Sequence, residues 1–141
     1  KDKEWKDYLR FEYDSEKPPV VNEKMIRFNG EGTKGYETFI FRIETAYYFC
    51  KTNEYAYDLP VCITLLILKD SIDGLELGGD GFWIDEDMAK KYKETGIPEL
   101  GGSWNKALDY VKEKYGIEFE WILNETESGG WKYYKMEICK K

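Results

Sequence analysis

No histidine occurs in this chain of 141 residues. That absence removes every Ser-His and Cys-His nucleophile arrangement, together with the commonest transition-metal ligand. Cysteine is scarce as well. Cys50, Cys62 and Cys139 are odd in number and lack C-x-x-C spacing, so neither a disulfide framework nor a zinc site is indicated. Reduced thiols in a cytoplasmic protein are the expectation. Arginine is limited to Arg10, Arg27 and Arg42, and 28 acids against 21 basic residues leave a formal charge of −7. Such a chain repels phosphate backbones, so direct nucleic-acid binding is not expected. Long apolar runs are also missing. Residues 61–68 (VCITLLIL) fall far short of the roughly 20 needed to cross a bilayer, and the charged opening KDKEWK lacks the apolar core of a signal peptide. No membrane association is expected.

Aromatics, by contrast, reach 17% within a hydrophobic share of 42%, so Trp, Tyr and Phe carry much of the burial in what the length bounds as a single domain. Periodicity supplies the elements. Trp5, Tyr8 and Leu9 have helical spacing, which predicts a short N-terminal helix or arm over residues 1–17 before Pro18 and Pro19. Strands are expected across residues 20–69. VVNEKMIRF is one; in YETFIFRIETAYYFCK (36–51) strict alternation predicts a long second strand. The β-branched run LPVCITLLILKD predicts a strand covered on both faces, with a buried helix as the alternative. Two helices follow within residues 86–115. One runs from about Glu86 to Thr95 and stops at Gly96 and Pro98; the other starts behind Ser103 as N-cap, carries Trp104, Ala107, Leu108, Val111 and Tyr115 on one face, and stops at Gly116. IEFEWIL and WKYYKMEIC, joined through NETESGG, form a C-terminal hairpin over 117–139. The fold class is therefore α+β, with a largely antiparallel sheet of about five strands and two or three helices.

GEGTKG (residues 30–35) matches G-x-G-x-x-G letter for letter, but a strand and not a helix follows it, and no kinase-type catalytic loop accompanies it. It reads as a hairpin loop. Asp70, Asp73 and Glu76 fail EF-hand spacing, with only Asp73 in place; Asp70, Asp73, Glu76 and Asp80 could form only a less regular calcium site, turn formation is the commoner use of such residues, and no metal is assigned. The stretch LELGGDGFWIDEDM (75–88) is the densest in acids and glycines. Asp85 suits a helix N-cap, Glu86 and Asp87 suit the first helical turn, and Trp83 anchors the loop. Nothing in that order supplies the facing carboxylates of an acid/base enzyme, and no catalytic residue or cofactor is assigned.

Charge distribution points further than any motif. Residues 73–99 hold eight acids against three lysines, and Glu118, Glu120, Glu125 and Glu127 follow with no Lys or Arg between Gly116 and Gly130. In the last strand Tyr134, Met136 and Ile138 look inward, which sends Trp131 and Tyr133 to the other side. The expectation is a non-catalytic, acidic protein-binding domain that occupies a basic surface of a partner, such as a nuclease or nucleic-acid-binding protein. An immunity-type protein or a bacterial or phage inhibitor fits that chemistry. The partner-binding set is Asp73, Glu76, Asp80, Trp83, Asp85, Glu86, Asp87, Glu118, Glu120, Trp131 and Tyr133. Alternatives are a small-ligand or glycan-binding domain using Trp83, Trp131 and Tyr133, and a carboxylate-based enzyme.

Overall fold

The computed structural model describes residues 9–10, 13, 16–22, 24–42, 50 and 56–141. It is α+β, with two antiparallel sheets and three α-helices among the described residues. The strands are β1 (Leu9–Arg10), β2 (Val20–Val21), β3 (Met25–Gly30), β4 (Phe39–Arg42), β5 (Trp83–Ile84), β6 (Phe119–Ser128) and β7 (Trp131–Lys140). The helices are α1 (Asp58–Ser71), α2 (Glu86–Thr95) and α3 (Trp104–Tyr115). Contacts divide the chain into two units, Lys1–Val61 and Cys62–Lys141.

In the first unit β3 is the common partner of β1, β2 and β4. The expected single strand over VVNEKMIRF is in fact a tight hairpin. Asn22 breaks it, because its side-chain Oδ1 accepts from the Lys24 and Met25 amides at 2.9 and 3.0 Å and turns the chain. Phe28 lies opposite Phe39 across β3 and β4, and their rings meet at 5.1 Å. The GEGTKG loop closes on Asn29, whose side chain is fully buried. Its Nδ2 donates to the Tyr36 carbonyl and Thr38 Oγ1 at 3.1 and 3.0 Å, while its Oδ1 accepts from the Gly30 and Tyr36 amides at 2.7 and 3.1 Å. A buried amide so bonded fixes the loop, since each group would otherwise be desolvated without return. The helix expected from Trp5 and Tyr8 lies outside the described residues, and Leu9 belongs to a strand. The long strand expected over 36–51 is seen as β4; residues 43–49 and 51–55 lie outside the described set.

The expectation of a strand at LPVCITLLILKD is corrected. These residues form α1, which runs for 14 residues across the boundary between the units. An unbroken apolar run suits a strand buried on both faces and a helix buried all round equally well, and the length decides. Pro60 sits in the first turn, where its missing N–H costs nothing, with Asp58 near the positive end and Lys69 near the negative end. Val61, Cys62, Ile63 and Leu66 are buried. With a helix in place of a central strand, two separate sheets stand where one was expected.

The second unit holds the sheet ordered β5-β7-β6 with α2 and α3. The expected hairpin is present. β6 and β7 pair without interruption from Phe119↔Lys140 to Ser128↔Trp131, so the turn is only Gly129-Gly130, with φ of 59° and 83° that side chains disfavour. Asp85 caps α2 by accepting from the Met88 amide at 2.8 Å, and Gly96 ends it in the left-handed region. Ser103 precedes α3 but makes no side-chain cap bond, contrary to expectation. Asn105 orders that turn instead, accepting from the Leu100 amide at 2.7 Å and donating to the Pro98 carbonyl at 3.2 Å. Trp104, Ala107 and Val111 are buried on α3, whereas Tyr115 is exposed. Phe82 is enclosed by Trp104 and Trp121 at ring distances of 4.8 and 5.9 Å. Gly81 allows this packing: a Cβ there would lie 2.7 Å from the Gly101 carbonyl oxygen and 2.8 Å from Trp104.

Two substitutions test these locks. Asn29→Ala removes the four loop hydrogen bonds and is expected to lower stability by about 2–4 kcal/mol in urea unfolding. Gly81→Ala is expected to cost about 1–3 kcal/mol through overpacking, read from the same experiment.

Candidate functional site

Directly opposed residues of an antiparallel pair share a face, so the register of β6 and β7 sorts their side chains. Tyr134, Met136 and Ile138 are buried on the inner face, with Trp121 and Leu123 opposite Ile138 and Met136. The outer face carries Glu120 opposite Cys139, Ile122 opposite Glu137, Asn124 opposite Lys135, Thr126 opposite Tyr133, and Ser128 opposite Trp131. β5 adds Trp83, which is the partner of Lys135 on β7. Four large apolar side chains therefore stand on one sheet face in contact with water: Trp83 is 52% exposed, Ile122 49%, Trp131 73% and Tyr133 46%. The Lys135 ammonium lies 5.4 Å from the centre of the Trp83 ring, a cation-π contact that orients the indole.

Of the expected partner-binding residues, this face unites Trp83, Glu120, Trp131 and Tyr133. The others have separate settings. Asp73 receives Lys140 at 3.4 Å, and Glu118 receives Lys112 at 3.7 Å. Glu76 is exposed ahead of the short 3-10 turn that Asp80 opens. Asp85, Glu86 and Asp87 serve the start of α2 as cap and first turn, the structural role expected of them. Trp83 and Glu120 face β7 residues four apart, or about 13 Å along a strand. The acids are thus spread along the unit and interleaved with lysines. Ile122, Lys135 and Glu137 were missing from the expected set, although Ile122 already stood on the Glu side of the IEFEWIL alternation.

On the inner side α2 grips the hairpin. The Tyr92 hydroxyl donates to the Trp121 carbonyl at 3.2 Å, and Lys93 bonds Glu125. Lys93's hydrogen bond, and then its charge, holds the Glu125 carboxyl below the usual carboxylate range. The same bond raises Lys93 above its ordinary value. Both groups are solvated, so the pair is worth little to overall stability.

Several amides of the GEGTKG loop and its flank are used internally. The Gly30 and Tyr36 amides donate to Asn29, and those of Lys34 and Gly35 to the Glu31 and Gly32 carbonyls, so they are turned inward. Beside it a recess of about 220 Å³ is lined by Gly30, Glu31, Lys34, Ala56 and Tyr57. Glu31 is held there by Arg10 at 2.6 Å. Among the described residues no three of Cys, Asp and Glu converge to hold a metal ion, and no helix is long and apolar enough to cross a membrane. None of the three cysteines is in a disulfide.

The chain matches no protein-family model, no curated protein and no solved structure.

The Lys93 and Glu125 pair sets a pH window. A depressed carboxylate stabilises at neutral pH and loses that contribution as pH falls through its lowered pKa; a raised lysine loses its share as pH climbs past its own. By NMR titration Glu125 is expected to protonate below the usual carboxylate range and to move upward in Lys93→Gln.

Proposed function

We propose that this chain is a non-catalytic protein-binding module that docks on a basic partner protein by the outer face of its β5-β7-β6 sheet. The observation that carries the reading is the shared exposure of Trp83, Ile122, Trp131 and Tyr133 on that face. Trp and Tyr supply most hot spots in protein interfaces, because each buries a large rigid surface at low entropic cost. Exposed singly they need no explanation, but four on one sheet face form a patch of the kind that marks interaction. Glu137 and Glu120 continue the same face beyond Lys135, and the net charge of −7 would steer a basic partner toward the module.

The ion pairs at Asp73, Glu118 and Glu125 shift the emphasis within this reading. Aromatic anchoring supplies affinity, and negative potential supplies the rate of encounter. An inhibitor or immunity-type protein acting on a cytoplasmic nuclease or nucleic-acid-binding protein, in a bacterial or phage setting, has these properties. Stacking on Trp83, Trp131 and Tyr133 would also serve a glycan, and salt separates the two, since stacking on sugars is insensitive to it.

The test is capture of the partner at low salt, followed by surface plasmon resonance with the purified pair. Trp83→Ala and Tyr133→Ala are each expected to weaken binding about 30-fold, the size of a 2 kcal/mol hot spot. Glu120→Lys with Glu137→Lys is expected to slow association and leave dissociation nearly unchanged. Binding that ignores both salt and charge reversal, yet is lost with one Trp, refutes the basic partner and supports the glycan.

A further inference from the structure

β6 is an outer strand: among the described residues only β7 pairs with it, along all ten residues. Unpaired strand edges invite added strands, and proteins blunt them with Pro, Lys, bulges or shortness. β6 has none of these. It holds no Pro, Gly or Lys, and its register with β7 has no bulge. One carbonyl, that of Trp121, is occupied by the Tyr92 hydroxyl, and beyond it Glu125, Thr126, Glu127 and Ser128 are all exposed. The strand carries Glu120, Glu125 and Glu127, with no basic residue from Ile117 to Gly130.

These features choose an occupant. A second copy is disfavoured: antiparallel pairing centred on the open segment sets Glu125 against Glu125, and moving each strand along by two residues sets Glu127 against Glu127. A strand of opposite charge meets no such conflict. We propose that the outer edge of β6, residues 122–128, is a β-augmentation site for an extended segment of a partner protein bearing Lys or Arg at alternate positions. Backbone hydrogen bonds supply the affinity, as in other strand-addition complexes, and Glu125 and Glu127, two apart on one face, select the spacing of the cations. Lys93 already bonds Glu125, so an incoming cation shares that carboxylate and meets Glu127 without an internal ion pair among the described residues. The inference rests on the reading of this chain as a binder of basic protein, and it names a mode that the outer-face aromatics do not require.

The test uses the full chain and a capped seven-residue peptide of alternating Lys and Thr. Isothermal titration calorimetry gives affinity, and NMR hydrogen exchange gives protection of residues 122–128. The Lys-Thr peptide is expected to bind and to slow exchange along this edge. Full backbone N-methylation keeps the charge but removes every donor, and is expected to weaken binding about tenfold or more. Glu127→Lys is expected to weaken it as well, while Glu127→Gln has a smaller effect and Trp83→Ala none. Failure of the Lys-Thr peptide to bind, equal binding of the N-methylated form, or binding without protection of β6 overturns the proposal. A partner whose binding depends on Trp83 but leaves β6 unprotected overturns the edge site alone and leaves the outer face standing.

Discussion

The pairing of β6 with β7 is the constraint on which the second unit depends. Its ten residue pairs run in one register to a two-residue glycine turn, so every side chain of the hairpin is assigned a face by parity alone. A slip of one residue would expose Tyr134, Met136 and Ile138 and bury Trp131 and Tyr133. The inner face closes with Phe82 between Trp104 and Trp121, and that closure holds the register. Gly81 is required for it, because backbone meets backbone where Gly101 donates to the Gly81 carbonyl at 2.9 Å.

What charge does here differs from what its abundance suggests. Acids concentrated in sequence are distributed in space among distinct tasks. Asp85 satisfies an orphan amide, Glu125 ties the hairpin to α2, and Asp73 and Glu118 bond lysines of the same unit. On the hairpin's outer face only Glu120 and Glu137 are acidic, and they lie toward the end away from Trp131 and Tyr133. A linear count of carboxylates therefore overstates the negative charge gathered on any one face.

Legibility followed the strength of the periodic signal. The hairpin, α2 with its Asp85 cap, and the inward set on β7 were readable because alternation and capping are local effects that tertiary contacts reinforce. α1 was not, since an apolar run without periodicity carries no information about its repeat, and β-branched Val61, Ile63, Thr64 and Ile67 biased the reading toward a strand. Ser103 failed as a cap because Asn105 takes over that turn, a competition between neighbours that composition cannot rank. The outer face was half legible. Parity gave Trp131 and Tyr133 a common face; Trp83 was named with them, but placing it on that face required the pairing of β5 with β7, a long-range contact that no local pattern encodes.

The far end of the hairpin is built differently from its base. From Glu125 to Tyr133 every residue is exposed, so none of these side chains contributes to a core. Side-chain replacements that keep the strand pairing are expected to cost folding little outside the turn glycines. The sequence of this segment is thus free to drift while the scaffold persists, which gives a lineage room to vary one end of the hairpin without passing through unfolded intermediates.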